Sequence, residues 1–479
     1  MKVKLLIPNL DPFRGRFRRQ VKYSVFPPIA LATLAGYLRE DDEVVLQDEN
    51  VERLDFADEP DLVGIKVQTS GARRAYEIAD YYRSKGVPVA LGGLHVTALP
   101  EEAAQHADSI FLGPAEDTWP VFLEHFRAGK PESRYQSTKR TLAGKPPIRR
   151  DLIKQNLYIA ANSIAASRGC PHACDFCSNS YFFRGGKSFY TMTVEQTLAE
   201  IAALPGRHLY FLDDNIFGDK LFAATLFEAL RGQGKIWQSA ATVAAAFDEE
   251  LLRKAADAGL RTLVVGFETL STANLREHNK YHNLKRDYED AIRRFHDAGI
   301  FVNATFIFGL DEDDETVFDR TVEWAVNQGI DTATFHILTP FPGTRLFTEM
   351  QSQGRLLTED WNYYDTAHVV FKPAKMSPET LEAGYWRAYR NFYQWRAIFK
   401  SAAVKPQLAD QLRHVAYTAA WAKSGLAWNL LSRAGMVGYF TPLLTSVLAG
   451  RKKANAKEIL PDPVSVSRNV SALQRNQPE

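Results

Sequence analysis

The sequence predicts an α/β protein with two successive parallel-sheet units and an α-helical C-terminal region. Two observations predict this. From the start of the chain to about residue 340, short apolar runs of strand length alternate with longer amphipathic segments, and that alternation makes parallel sheets. From residue 378 the strand signals stop, and Tyr385, Trp386, Tyr389, Phe392, Tyr393, Trp395 and Phe399 recur at helical spacing.

Residues 1–135 form the first unit, a Rossmann-like, doubly wound parallel sheet. Runs 3–7, 43–46, 62–67, 87–91 and 109–112 read as buried strands, and 29–38, 73–83, 101–106 and 119–126 as helices. Such sheets bind ligands beyond the carboxyl ends of their strands. The loops there are 8–23, 68–71, 92–97 and 113–116. No G-x-G-x-x-G follows the first strand and no G-x4-G-K-[ST] occurs, so nicotinamide and P-loop chemistries lack their fingerprints. Arg14, Arg16, Arg18 and Arg19 make a basic run in the first loop, read as solvated.

Residues 136–152, polar and holding Gly144 and Pro146-Pro147, read as a linker. Residues 153–375 form the second unit. Strands are expected at 163–167, 208–212, 236–240, 263–267, 301–308 and 334–338, and helices at 193–204, 223–230, 248–258, 286–298 and 315–328. Repeated units of this size suggest a full or partial (β/α) barrel of TIM type, with chemistry at the strand carboxyl ends.

The chemistry is concentrated in one loop after the first of those strands. All three cysteines of the chain, Cys170, Cys174 and Cys177, lie there as C-x3-C-x2-C. Thiolates at this spacing suit an iron–sulfur cluster, and three ligands leave one of four irons open to bind a small molecule. A structural zinc site asks for four ligands, and His172, the nearest candidate, sits inside the motif.

With Phe176 in the aromatic slot, the loop resembles the radical S-adenosylmethionine (SAM) superfamily. The resemblance implies a 4Fe–4S cluster whose open iron chelates SAM, and reductive cleavage of SAM to a 5′-deoxyadenosyl radical. Strand-end motifs resemble the superfamily too: Phe211-Leu-Asp213-Asp214-Asn215, Val265-Gly266-Phe267-Glu268-Thr269, Phe308-Gly309-Leu310 and Thr339-Pro-Phe-Pro342-Gly343-Thr344. The implied SAM contacts are Phe176, Asp213, Asp214, Gly266, Glu268 and Gly309.

The first unit resembles the cobalamin-binding domain attached to many such enzymes. Phe26-Pro27-Pro28, Leu91-Gly92-Gly93-Leu94-His95 with Pro100-Glu101, and Gly113-Pro-Ala-Glu116-Asp117 carry the likeness; Pro114 departs from the usual Gly-Glu. The D-x-H-x-x-G motif that supplies a histidine to cobalt elsewhere is absent. The resemblance implies a cobalamin site around Thr69, Ser70, Gly92, Gly93, His95, Gly113 and Glu116, the glycines letting backbone approach a flat ligand. It implies a cobalamin-dependent methyltransferase acting on an unactivated carbon, or alternatively a radical cyclase, rearrangement or oxidative enzyme of lipid, tetrapyrrole or natural-product biosynthesis. An electron donor such as flavodoxin or ferredoxin goes with either.

Other features read as structural. The acidic run 311–315 lacks a calcium loop's glycine and terminal glutamate and suits a helix start. His278 and His282, four apart, read as part of a solvated segment. Residues 376–453 are expected to be helical, the aromatic stripe packing on the open side of the barrel or lining a pocket; 454–479 read as a disordered tail. A net charge of +1 gives no bulk field for nucleic acid. The cysteine usage suits a reducing cytoplasm, the N-terminus is no signal peptide, and no apolar run reaches spanning length. The mostly apolar stretch 425–450 reads as a helical hairpin ahead of a peripheral membrane contact, which would suit a lipid-like small-molecule substrate.

Overall fold

The computed structural model describes residues 1–10, 25–423, 430–431 and 434–449. The arginine run 14–19, part of the hairpin at 425–450 and the tail 454–479 lie outside the described residues.

The first sheet contains β1 (Lys2–Ile7), β2 (Glu43–Asp48), β3 (Leu62–Lys66), β4 (Val89–Gly92), β5 (Ser109–Leu112) and β6 (Arg134–Gln136), all parallel, in the order β2-β1-β3-β4-β5-β6. The chain starts in the interior, steps out to β2, then returns past β1 to β3. Right-handed crossovers in both directions put helices on both faces, which is why the sheet is doubly wound. The strand β6 was not expected. It is three residues long and mostly polar, and only Tyr135 turns inward, stacking on Phe111 at 5.2 Å.

The segment after β6, expected as a linker, is partly buried. Leu142 is fully buried with Phe183, Tyr190 and Met192. Lys145 and Arg150 reach Glu200 at 3.5 and 3.1 Å, so two of its cations are used in ion pairs.

The second sheet runs β14-β13-β12-β11-β10-β7, again parallel, from β7 (Ser163–Ile164), β10 (His208–Phe211), β11 (Ile236–Thr242), β12 (Leu260–Glu268), β13 (Phe301–Phe308) and β14 (Thr332–Ile337). Each strand lies beside its neighbour in sequence. Crossovers that always advance the same way leave all helices on one face, and the sheet curls as an arc of a (β/α) barrel. Its helices start on side-chain caps: Thr193 and Gln196 form a capping box, and Asp219, Asp248 and Asp287 accept from the first free N–H groups.

The strand expected at 163–167 is split. Asp213, at the end of β10, accepts from Ala166 N (3.2 Å) and Ser167 N (2.5 Å) and from the Ser167 hydroxyl. These bonds take the donors that would continue the ladder. The chain then leaves the sheet into a small antiparallel hairpin, β8 (Ser167–Gly169) with β9 (Phe189–Thr191).

At the other edge, β14 pairs with β13 on one side and, among the described residues, with no strand on the other. Helix Pro378–Phe392 covers it, and two tyrosines stand in for a partner backbone. Tyr389 Oη accepts from Phe335 N and donates to Phe335 O, both at 3.1 Å; Tyr393 Oη does the same for Ala333, at 3.1 and 2.7 Å. Tyr385, Tyr389, Phe392 and Tyr393 of the aromatic stripe therefore pack on the open side of the barrel, whereas Trp386, Trp395 and Phe399 are exposed.

Helices Trp395–Ala403, Leu408–Lys423 and Thr441–Ala449 follow. The first two are pinned at the barrel's amino end, through Lys405 and His414, by Asp331, which is fully buried. Its carboxylate meets His296 Nε2 (3.0 Å), Lys405 Nζ (3.1 Å) and His414 Nδ1 (2.8 Å).

Candidate functional site

A cavity of about 590 Å³ opens at the carboxyl edge of the first sheet, where the strand order reverses around β1. Leu5, Gly64 and Lys66 of β1 and β3 form part of its wall, and Arg168, Gly169 and Asp214 of the second unit form another. Phe26, Pro27 and Pro28 border it at the entry to helix Ile29–Ala35. Gly92, Gly93, Gly113 and Glu116 all line it. At Gly93 no other residue would serve: φ is +122°, and a Cβ would come within 2.6 Å of Val67 O.

Glu116 Oε1 lies 2.9 Å from Arg168 Nε, with both side chains mostly buried, so the wall is cross-linked between the two sheets. Lys66, at the end of β3, has no carboxylate at ion-pairing distance among the described residues, and burial pulls its pKa down. Its place at a strand's carboxyl end was the signal for it, and sequence reasoning passed over it.

The cysteine loop leaves β8 at this wall. Cys170 N donates to Ser188 O and Cys177 N to Cys174 O, both at 3.1 Å. None of the three thiols is in a disulfide. Burial pushes each up to about 11, and each feels the field of another of the three. Lys280 opposes this, favouring all three thiolates.

Lys280, like Lys66, was not expected from the sequence. The segment around it is not solvated as expected: His278, Lys280 and Asn283 are buried, and only Tyr281 between them is exposed. Lys280 Nζ pairs with Glu268 Oε1 at 2.5 Å and stands 6.0 Å from the centre of the Phe176 ring. His278 Nδ1 is 3.1 Å from Asp175 Oδ1, and His282 stacks on His172 at 3.8 Å. Glu268 sits at φ +64° where the register with β13 shifts. Gly266 leaves room for the pair: a Cβ there would stand 2.5 Å from Glu268 Oε1 and 3.0 Å from Lys280 Nζ.

Of the other expected contacts, Asp213, Gly309, His95, Thr69 and Ser70 do not line the first cavity, and Asp214 does. Asp213 spends its carboxylate on residues 166 and 167; burial nevertheless raises its pKa to about 6. Asp214 lines the cavity instead, accepting from Asn179 Nδ2 at 3.0 Å. Gly309 N donates to Asp313 Oδ2 (3.1 Å), and a Cβ on Gly309 would meet Leu381, away from the cavity. His95 is fully buried on the far side of its helix, its Nε2 3.0 Å from Glu102 Oε1 and its ring against Trp361. Thr69 and Ser70 face a second cavity of about 270 Å³, which shares Leu10, Gln68 and Leu94 with the first and also touches Ser178 and Tyr181 beyond the cysteines. The acidic run is engaged as well: Asp311 grips Arg355 through both oxygens, and Glu312 pairs with Lys375.

The donor set fits an iron–sulfur cluster. Among the described residues no three His, Cys, Asp or Glu side chains converge as ligands of a single ion would. A cluster asks for separate thiolates, each on a different iron, and three leave one iron free. The first cavity has room for a bulky, largely apolar group, and no histidine among the described residues lines it. Three cysteines in a loop that leaves β8 beside a large, mostly apolar cavity, between a parallel (β/α) arc and a second parallel sheet, define the class: an α/β protein with a thiolate site next to a crevice for a bulky ligand.

Comparison with known proteins agrees. The Radical SAM superfamily model matches residues 164–325 and the B12 binding domain model matches residues 16–123. Bacteriochlorophyllide d C-12(1)-methyltransferase of Chlorobaculum tepidum is 31% identical over 72% of this chain and 77% of its own. The C-8(2)-methyltransferase of the same organism is 28% identical over 79% and 88%. The radical SAM methyltransferase TsrM of Kitasatospora setae, solved with cobalamin and a [4Fe-4S] cluster bound, superposes with a TM-score of 0.63 over 91% of this chain and 98% of that one, at 16% identity. The chain belongs to the radical SAM superfamily, in the branch that carries a B12-binding domain. It is a cobalamin-dependent radical SAM enzyme.

Proposed function

We propose that the enzyme methylates an unactivated carbon of a large, mainly apolar small molecule, of the tetrapyrrole or lipid kind. The observation that carries this is the shared chamber: one cavity is walled both by the B12-binding sheet and by the lead-in to the cysteine loop. The relatives above, named as methyltransferases of bacteriochlorophyllide d, support the reaction and the substrate class.

When bound, the cluster supplies the electron that cleaves SAM, and cobalamin carries the methyl group. The chain's own residues do the rest. Cys170, Cys174 and Cys177 hold the cluster, and Lys280 keeps their thiolates charged while Glu268 holds Lys280 in place. Asp214, fixed by Asn179, and Phe176 are positioned toward SAM. Gly92, Gly93 and Gly113 give a backbone cradle for the corrin, and Lys66 offers a cation to an anionic group of whichever ligand fills the first cavity. Thr69, Ser70 and Tyr181 line the adjoining cavity where the substrate is received. The division 1–135, 153–375 and 376–453 assigns cobalamin, SAM and support in turn. A flavodoxin or ferredoxin supplies the electron.

The test is a paired product assay on anaerobically purified protein holding about four iron and about one cobalt per chain. S-adenosylhomocysteine and 5′-deoxyadenosine formed together, with a substrate heavier by one methyl group, is the expected result. Deoxyadenosine alone, with a cyclised or oxidised product, would replace methyl transfer by the rearrangement chemistry.

A further inference from the structure

The charge of this chain is sorted along its length. Residues 383–423 carry Arg387, Arg390, Arg396, Lys400, Lys405, Arg413 and Lys423 against one acid, Asp410, in a protein of net charge +1. The rest of the chain is therefore net negative. Three of these cations are used internally: Arg387 lies 3.4 Å from Asp319, Lys405 3.1 Å from Asp331, and Arg413 3.2 Å from Asp410. Arg390, Arg396 and Lys400 are exposed, with no carboxylate at ion-pairing distance among the described residues.

The same helices expose large apolar side chains. In helix Trp395–Ala403, Ala397, Ile398, Ser401 and Ala402 are buried. The opposite face shows Trp395 at 48% and Phe399 at 56% exposure, interleaved with Arg396 and Lys400. The two rings stack with centroids 5.8 Å apart. Leu408 and Leu412, one turn apart on the next helix, are 70% and 62% exposed. Trp386 and Arg390, also one turn apart, repeat the aromatic–cation pairing on the preceding helix.

An exposed face of this size and mixture marks an interaction site. Aromatic rings flanked by long cations suit the boundary between lipid headgroups and acyl chains, where the ring sits at the headgroup level and the cation meets phosphate. A second copy of this chain is the poorer occupant, because a two-fold interface would set Arg396 and Lys400 against their own copies. Single-stranded nucleic acid would use the rings and cations but leave Leu408 and Leu412 uncovered. No helix among the described residues is long and apolar enough to cross a membrane, so the contact lies in the plane of the surface.

We propose that helices Trp395–Ala403 and Leu408–Lys423 dock this enzyme on an anionic lipid bilayer. The docking goes beyond methyl transfer and does not depend on it. It brings the chamber to the phase in which an apolar substrate dissolves.

The test is co-sedimentation of the full-length holoenzyme with vesicles of phosphatidylcholine containing phosphatidylglycerol, and with vesicles of phosphatidylcholine alone. Three free cations predict about a hundredfold tighter binding to the anionic vesicles at low salt, a preference lost at high salt. The double variant Arg396→Ala/Lys400→Ala should lose most of that preference. Trp395→Ser/Phe399→Ser should weaken binding at every salt concentration. Both variants alter exposed positions, and unchanged iron content and melting temperature certify the fold. Vesicle binding that neither variant alters overturns the proposal. So does absence of vesicle binding, whether accompanied by concentration-dependent dimers in sedimentation velocity or by binding of a single-stranded oligonucleotide.

Discussion

Glu116 Oε1 and Arg168 Nε stand 2.9 Å apart, and this ion pair ties the loop after β5 to the strand that delivers the cysteines. Only 13% and 17% of the two side chains remain exposed. Removing one partner strands a desolvated charge, so Glu116→Ala should cost about 3 kcal/mol. Adding Arg168→Ala should then cost much less than it does alone, because the two act as a unit. Urea unfolding of the four proteins in the cycle measures the coupling. Strict additivity would mean that the pair does not hold the chamber together.

The cysteines and Lys280 make a second, ordered expectation. Alanine at any one of Cys170, Cys174 or Cys177 should abolish deoxyadenosine formation. Thiols pushed up to about 11 by burial must lose protons before they bind iron, and Lys280 favours that loss. Lys280→Met should therefore weaken iron retention about tenfold or more, as loss of a partner of metal ligands typically does. Glu268→Gln leaves the cation in place and should retain iron better. Iron analysis after desalting ranks the variants, and the reverse order would remove Lys280 from this role.

Tyr389 and Tyr393 close the exposed edge of β14 through their hydroxyls alone. Phenylalanine at either keeps the ring and strips the strand of a donor and an acceptor. Each substitution should cost about 1–3 kcal/mol in chemical denaturation, the penalty for unsatisfied backbone groups. A cost near zero would show that water replaces the hydroxyl at this edge.

Asp331 sets a pH dependence. Burial alone would raise its pKa, but Lys405 and His296 outweigh that and hold the carboxyl well below its usual value. Below about pH 4 the unfolded chain therefore binds the proton that the folded protein refuses. The stabilisation is whole at neutral pH and drains away as pH falls through the folded-state value. Asp331→Asn should cost about 3–5 kcal/mol at neutral pH by leaving the cations buried without an anion. The gap between wild type and variant, read by urea unfolding of the iron-free protein, should narrow only below about pH 4. A gap that narrows already well above pH 4 would remove the Asp331 carboxyl from this role.

Much of this molecule was legible in the chain. Alternating apolar runs foretold both parallel sheets because burial on two faces leaves a continuous apolar strand. Strand β6 escaped because its pairing rests on three backbone residues and one inward ring. The split at residues 163–169 escaped because its cause, Asp213, lies some fifty residues away. An aspartate at a strand end looks the same whether it faces a ligand or a neighbouring backbone.

The sequence by itself determined the donor chemistry: three thiols within eight residues are held near one another by chain connectivity, whatever surrounds them. The glycine at position 93 was legible too, as a residue free to adopt a positive φ at a strand end. The tertiary structure alone decided which polar groups reach the chamber. Asp214 and Lys66 do; Asp213 and His95 do not; Lys280 arrives at the cysteines from a segment that looked solvated. Those outcomes depend on contacts between residues far apart in the chain, as in Glu116 with Arg168 or Asp331 with His414. Side-chain direction is settled by such packing, and no local pattern encodes it.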